Sequence, residues 1–560
     1  MPAGGIWQSQ NKVRPGAYIN VVGVPKPLSS IGERGVVAIV MEPGWGEQIT
    51  RLTVNEFITG GGLYKIGANY TDDSDVARQL RLAFQGAASV VIRRSNTSQV
   101  KAAATIASGT CTATAKYAGT FGNNISLKVA LNTVDVPAKA SAALDWTYGT
   151  ITAVAKAAGS SGNGLEVEMQ RQSSTEVSCV IKRDSTTLFS TSTAQTIADL
   201  TNDYVDFSGT SDSILEIVTE CKEATLSGGD TVIPVLNTVT LETYVSGILK
   251  VKMTSADKDA FSNEWVDISA SVLSSFVAGE YTLSGGTNGS ADSITNIFAD
   301  LEQENWNVLA FPVTDSISKD AAVTFIKSMR DDNGIKVQAV LTECSGTDSN
   351  GYTFTSFAPD YEGIYVCKQG YRLSDATIVS PIDEVYMLAG MIAGATITES
   401  LTGSIIPNAI EVLHNPKTND GFIEAINDGK LVLSKRRDGA IVIEYDINSF
   451  TSLTAKKGKV FTKGRPMRVL DNICNDVKSL WDNTYLGKVS NNADGRGIFK
   501  ADIIKYMNDL QKMEAVQNFD PDSDLEVIAG DDSDSVVVNL WVQPVDSMEK
   551  LYMTIPVRLK

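Results

Sequence analysis

Histidine is all but absent: His414 is the single one in 560 residues. A Ser-His-Asp device could use only that residue, and a multi-histidine metal site cannot form within the chain. It sits in Glu411-Val412-Leu413-His414-Asn415-Pro416, beside a helix-ending proline and without metal-ligand spacing, and reads as structural or surface. The six cysteines, Cys111, Cys179, Cys221, Cys344, Cys367 and Cys474, include no C-x-x-C pair. They read as reduced, mostly buried thiols of a protein made in a reducing cytoplasm. Positive charge is in deficit, with 48 Lys plus Arg against 66 Asp plus Glu and a net charge of −18. Such a chain is poorly suited to neutralise a phosphate backbone or to lie on anionic lipid, so neither nucleic acid nor direct membrane insertion is expected.

Long hydrophobic runs are missing as well. The longest, Val385 to Ile397, is flanked by Asp383-Glu384 and Glu399. It falls short of the ~20 residues of a membrane span and predicts a buried core helix. The start, MPAGGIWQSQNKVRPG, lacks a basic-then-apolar signal sequence, so export by the usual route is not expected. What is present is ordinary globular material, 43% apolar and 20% charged. At ~150 residues per domain the length suggests about four domains.

The first segment, 1–27, is punctuated by Pro2, Pro15, Pro25 and Pro27 and reads as an extended arm. From 28 to 101 the pattern is αβ-like, with strands Gly35–Met41 and Ser89–Arg94 around a helix near Val76–Gln85. Val90-Val91-Ile92 is a β-branched run suited to burial in a sheet. From 102 to 289 short alternating strands in Thr/Ser/Ala/Val-rich sequence predict β-sandwich material. Three motifs recur there: Ala113–Val129 with Ala153–Met169, Asn202–Ser208 with Asn263–Ser269, and Thr225–Asp230 with Thr282–Thr287. Their offsets are 40, 61 and 57 residues, so the copies are not in simple tandem. One complete set lies inside 151–230, and the other is split around it. The expectation is a sandwich at 151–230 nested within a second made from 102–150 and 231–289, since exposed loop tips tolerate insertion.

Beyond 289, alternating helices and strands predict an α/β core at 290–419. Ser290 is the expected cap of a helix over 291–304; strand 308–313, helix 319–330, strands 336–341 and 363–368 and the apolar helix 382–397 follow. An α+β region at 420–535 carries helices 466–483 and 499–515. Two alternating runs at 536–560 read as a C-terminal arm.

No catalytic or cofactor motif emerges. Gly119-x-x-Gly122-Asn123 and its copy lack the Lys-Ser/Thr of a phosphate loop and read as hairpin turns. Asp520, Asp522 and Asp524 begin like a calcium loop, but Leu525 stands where the turn wants Gly and Asp531 where it wants Glu. No G-x-S-x-G elbow exists. Lys456, Lys457, Lys459, Arg465 and Arg468 form a basic patch, and Asp531, Asp532 and Asp534 an acidic strip. In an acidic chain this pairing suggests contacts between copies.

Several pieces together resemble the tail sheath proteins of contractile-tailed bacteriophages and related defective prophages. They are Lys12–Ile19, Ala115–Asn123, Leu283–Gly289, Trp306–Pro312 and Val542–Tyr552, in order and spanning nearly the whole chain. The resemblance implies an α/β sheath core, a mixed sheet with flanking helices. It also implies inserted β-sandwich domains and extended N- and C-terminal strand-exchange arms. The arms would use Arg14, Pro15, Gly16, Tyr18 and Ile19 at one end and Leu551, Tyr552, Met553, Ile555 and Val557 at the other. It further implies stacked hexameric rings around an inner tail tube protein, with baseplate and tail terminator proteins as partners, in a virion tail assembled in the host cytoplasm. No cofactor and no enzymatic activity are implied. A second sandwich departs from the family pattern. The rivals are the sheath of an R-type bacteriocin or cellular contractile injection system, which shares these mechanics, and, more remotely, a surface adhesin.

Overall fold

The computed structural model describes residues 3–5, 16–18, 34–349, 351–414 and 418–558. The chain divides into two compact units, one of 1–100, 117–121 and 286–560 and the other of 101–116 and 122–285.

The first unit is built on a six-stranded sheet in the order Ile364–Cys367, Gln338–Thr342, Val308–Ala310, Val36–Met41, Ser89–Arg94 and Ile49–Thr53. Five strands are parallel and the last is an antiparallel edge. Parallel strands covered on both faces need near-continuous apolar runs, which Val90-Val91-Ile92 and Val37-Ala38-Ile39 supply. Val37, Ile39, Val90, Ile92 and Val340 enter one core, and Ala38, Val91, Leu309, Ala339 and Leu341 enter the other.

Helices α1 (Asp75–Ala83) and α4 (Glu384–Gly394) cover the first face, and α2 (Ile294–Glu302) and α3 (Ser316–Asp331) the second. α1 and α4 approach so closely that a Cβ on Gly390 would lie 2.0 Å from the Ala83 carbonyl oxygen. α2 begins later than expected. Ser293 caps it, accepting from Asn296 N–H at 3.2 Å, while Ser290-Ala291 pairs with Asn96-Thr97 as a short strand. The apolar run predicted as a core helix is α4, and its residues Val385 to Ala389 are buried. A third core gathers α5 (Gly464–Leu480), α6 (Ala493–Lys512) and the hairpin Leu525–Ala529/Val536–Leu540.

The second unit holds fourteen strands. They are β1 (Ala103–Ala107), β2 (Cys111–Ala115), β3 (Ile125–Pro137), β4 (Lys139–Trp146), β5 (Gly149–Ala158), β6 (Leu165–Arg171) and β7 (Val177–Arg183). Then follow β8 (Thr186–Ala194), β9 (Val205–Gly209), β10 (Lys222–Thr225), β11 (Val232–Val245), β12 (Ile248–Ser255), β13 (Val266–Ala270) and β14 (Gly279–Thr282). Sheets β12-β11-β3-β14 and β13-β2-β1 belong to the split half. Sheets β8-β7-β6-β10 and β9-β5-β4 belong to the inner half, and close on a core of Leu144, Trp146, Ile151, Val167, Met169, Cys179, Ile181 and Val205. The two halves have the same order strand for strand, and the inner one interrupts the hairpin between β3 and β11.

Shared chemistry explains the repeats. Asn202 Oδ1 accepts from the N–H groups of Tyr204 and Val205 at 2.7 and 2.8 Å, and Asn263 Oδ1 accepts from Trp265 and Val266 at 2.9 and 3.2 Å. Each asparagine thus fixes the turn into a strand.

Two expectations are corrected here. The boundary at 151 cuts the β4–β5 hairpin, because β4 pairs with β5 from Trp146↔Gly149 onward and lends Leu144 and Trp146 to the inner core. The glycine loops are not hairpins. Ser160–Gly162 is a 3-10 turn joining β5 to β6, which lie in different sheets, and Thr120–Asn124 is its counterpart.

Candidate assembly interface

The end of the chain changes character abruptly. Val536–Leu540 is not a free arm, since it pairs with Leu525–Ala529 of its own chain and packs Val538 and Leu540 on the third core. The following segment is also tied down. Trp541 N–H donates to the Asp524 carbonyl at 2.9 Å, Gln517 N–H to Gln543 at 3.0 Å and Val545 N–H to Ala515 at 2.9 Å. Beyond Lys550 this stops. Leu551, Tyr552, Met553, Ile555 and Val557 are 85%, 90%, 69%, 71% and 78% exposed. Alternating Leu551, Met553, Ile555 and Val557 form an apolar row with period two, the pattern of a strand that lacks a sheet. At the other end, Gly16–Tyr18 pairs in parallel with Ala3–Gly5, while Arg14, Pro15 and Ile19 lie outside the described residues.

The root of the tail is held by Glu549, with Lys550 next to it over the Tyr445 ring at 5.6 Å. Glu549 Oε1 accepts from Ser400 Oγ at 2.9 Å and Thr402 Oγ1 at 2.7 Å, and its Oε2 pairs with Lys463 Nζ. Both side chains are buried, and Asp546 stands 3.5 Å from the same ammonium. Lys463 also lies over the Tyr445 ring, 4.4 Å from its centroid. Burial holds the Lys463 ammonium below its ordinary pKa. Arg465 Nη1 donates to Ser547 Oγ at 2.9 Å. A cavity of about 480 Å³ opens beside this root, lined by Tyr445, Lys459, Lys463 and residues 546–551.

The basic patch divides. Arg468 is fully buried with Asp446 at 2.8 Å, Lys457 pairs with Glu362 at 2.5 Å, and Arg465 serves the tail root. These three are internal, because each has an acceptor a few ångströms away in its own chain. Lys456 and Lys459 are exposed and make no ion pair among the described residues. Asp531, Asp532 and Asp534 sit exposed in the turn of the 525–540 hairpin, where Gly530 N–H donates to Ser535 O at 3.0 Å.

The remaining candidates carry no chemistry. Asp520 and Asp524 spend carboxylate oxygens on the N–H groups of Asp522 and Asp520, at 3.1 and 2.9 Å, which makes a turn. Asp520, Asp522 and Asp524 do not gather as ligands, and among the described residues no cluster of three or more metal-ligating side chains occurs. His414 is exposed and packs against Tyr352 and Phe354, with ring centroids 5.9 and 5.1 Å away. Cys111, Cys179, Cys344 and Cys367 are buried, and Cys221 and Cys474 are exposed. No described helix is long and apolar enough to cross a membrane.

Sequence reasoning missed a groove. Two adjoining cavities of about 450 and 630 Å³ share Trp481, Leu486, Phe499 and Val536 and run beside the strand Val536–Leu540. Among the described residues that strand pairs on one edge only. The signals available were Tyr485 and Phe499 near Trp481; Trp481 sits at core-facing spacing in the predicted helix 466–483 and so reads as core.

The fold is thus a six-stranded sheet covered by helices on both faces, with an exposed apolar segment at 551–557 and, among the described residues, a strand Val536–Leu540 paired on one edge only. Comparison with known proteins is specific. The phage tail sheath protein central domain matches residues 288–449, and the phage tail sheath C-terminal domain matches 456–558. The uncharacterized protein YqbK of Bacillus subtilis (strain 168) is 30% identical over 572 residues, covering all of both chains. Phage-like element PBSX protein XkdK, from the same organism, is 29% identical over 568 residues, again covering all of both. The crystal structure of the sheath tail protein from Desulfitobacterium hafniense covers 97% of this chain and 100% of its own, at 28% identity and a TM-score of 0.62. The chain belongs to the phage tail sheath protein family, of the Gram-positive prophage type.

Proposed function

We propose that the chain is the structural subunit of a contractile phage tail sheath. It polymerises as stacked hexameric rings around the inner tail tube, and contracts without nucleotide hydrolysis to drive the tube through the host envelope. The observation that carries this reading is the exposed apolar row Leu551, Met553, Ile555 and Val557. Placed on a neighbour's free strand edge, such a segment satisfies its backbone groups there while alternate side chains fill pockets. The edge at Val536–Leu540, with cavities along it, is the acceptor such a strand needs. The N-terminal arm, 1–27, is the second exchanged segment. Head-to-tail contacts of this kind do not close and so generate tubes.

Contraction is then a collective switch between two packings of one subunit, with the energy stored at assembly. Lys456 and Lys459 face the acidic turn of a neighbouring copy at Asp531, Asp532 and Asp534. α5 is largely buried, whereas α6 turns Ile498, Ala501 and Lys505 outward, so α6 meets the tail tube protein. The inserted two-sheet halves of the second unit are β-sandwich decoration. Baseplate and terminator proteins cap the ends of the tube, and assembly takes place in the host cytoplasm before the sheath becomes part of the virion tail.

Removal of residues 551–560 tests the reading. The shortened chain is expected to keep its circular dichroism and melting temperature and to form no ribbed tubes in negative stain. Tubes of ordinary length from that variant overturn the role of the tail.

A further inference from the structure

The polar knot at the root of the tail joins four segments far apart in the chain. Glu549 meets Ser400, Thr402 and Lys463, and Asp446 accepts from Arg468 Nη2 at 2.8 Å and from Leu401 N–H at 3.1 Å. Lys463 directly precedes α5, and its neighbour Gly464 donates to the Asp446 carbonyl at 2.9 Å. α5 is in turn bolted to the central sheet and α3. Arg330 grips Asp471 with two hydrogen bonds of 2.9 and 2.7 Å, and Gln338 donates to the same carboxylate at 3.0 Å. Asn475 both accepts from Lys336 N–H and donates to its carbonyl, at 2.7 and 3.0 Å.

Charge-assisted bonds at the tail root and at Asp471, joined by the backbone of α5 between them, thus link Glu549 to the central sheet. Such bonds are about twice as strong as neutral ones and hold a fixed geometry. Past Lys550, which lies over the Tyr445 ring, the tail makes no hydrogen bond or ion pair among the described residues.

We propose that Glu549 and Lys463 form a buried staple that fixes the root of the tail. The staple passes any pull on residues 551–558 to α5 and, through Asp471 and Arg330, to the central sheet. Strand exchange therefore begins only past Lys550, and the segment 541–549 stays with its own subunit when the tail is stretched. The load-transfer half rests on the sheath reading; the staple itself does not.

Limited chymotrypsin digestion of the full-length subunit tests the staple first, since cleavage of a transiently opened segment follows the population of the open form. With the staple intact, cuts within 541–558 are expected after Leu551, Tyr552 and Met553 and not after Trp541. Glu549→Gln, which leaves the buried ammonium without its main partner, is expected to raise cleavage after Trp541 by about tenfold or more. A Ser400→Ala/Thr402→Val double variant weakens the same anchor without removing charge, and should give an intermediate rate if Glu549→Gln proves too unstable to purify. Glu549→Asp is the conservative control and should cleave more slowly than Glu549→Gln. Unchanged cleavage after Trp541 in Glu549→Gln and in the double variant overturns the staple.

Negative-stain length distributions test the load transfer. Shorter or ruptured tubes are expected from Glu549→Gln, and parental tubes from a variant whose root is freed overturn it. A parent chain that forms no tubes at all counts against the sheath reading and leaves the proteolysis result standing.

Discussion

Gly464 stands against Asp446 so closely that a Cβ on the glycine would lie 1.9 Å from Asp446 Oδ1. The contact sets where α5 starts, because the Gly464 N–H donates to the Asp446 carbonyl and the same carboxylate holds Arg468. Gly464→Ala must therefore displace a buried carboxylate from Arg468, the cation it pairs with at 2.8 Å. A loss of at least about 2 kcal/mol is expected, the upper part of the range for overpacking. Gly497, in the exposed part of α6, has open space where its Cβ would be. Gly497→Ala should stabilise the chain by about 0.5–1 kcal/mol, since glycine costs that much in a helix interior. Denaturation of the two variants side by side checks the opposite signs.

The Arg330–Asp471 pair makes the second prediction. Both side chains are under 5% exposed, so each depends on the other for compensation. Asp471→Asn leaves the guanidinium buried and unbalanced, and the expected cost is about 3–5 kcal/mol. The unfolding of so large a chain is not two-state, so the quantity to follow is the melting transition of the first unit, read from near-ultraviolet circular dichroism. A shift of less than 2–3 °C would show that the pair is replaceable by solvent.

The central sheet was legible in the sequence because doubly covered parallel strands carry their own signature, as in Val90-Val91-Ile92. The repeat was legible because Asn202 and Asn263 perform the same turn and so kept the same neighbours. β4 was not. Its counterpart β1 shares only the backbone pairing of an edge strand, which constrains residue type weakly. Arg468 sat in a basic run and looked solvated, although its partner Asp446, 22 residues earlier, takes it fully out of water. The Glu549–Lys463 pair spans 86 residues, and no local pattern announces a contact at that separation. The sequence of Val536–Leu540 shows its alternation but not its partner, and so reads as part of the arm.

The corrected boundary can be measured. A fragment of residues 138–231 contains both inner sheets and their whole core, and should melt cooperatively on its own. A fragment of 151–230 lacks β4, uncovers the core where Leu144 and Trp146 sat, and should not. In the parent chain Pro137 pairs directly with Val232 across the ribbon of β3 and β11. Excising 138–231 and closing the gap with Asn-Gly, the preferred two-residue hairpin turn, should leave the rest folded. Cooperative melting of the 151–230 fragment would refute the boundary.

Glu384 gives the chain a pH dependence of unusual sign. It is fully buried at the start of α4, and burial pushes its carboxyl from the usual 4.5 up to about 7, although its Oε2 accepts from the N–H groups of Gln369 and Gly370. The folded state thus holds a proton that the unfolded chain has released. Stability from this group is complete below about pH 4.5 and is lost as pH rises through about 7. At about 1.4 kcal/mol per pH unit the loss amounts to roughly 3 kcal/mol. Asp360 and Glu56, both held near 2, act in the opposite sense, but their contribution falls away only below about pH 4.5, outside the range from 5 to 8.5. Glu384→Gln keeps an oxygen for the two backbone donors and cannot ionise. It should match the parent at pH 5, exceed it at pH 8.5, and flatten the melting temperature between them. Parallel curves for the two proteins across that range would show that Glu384 stays in one protonation state.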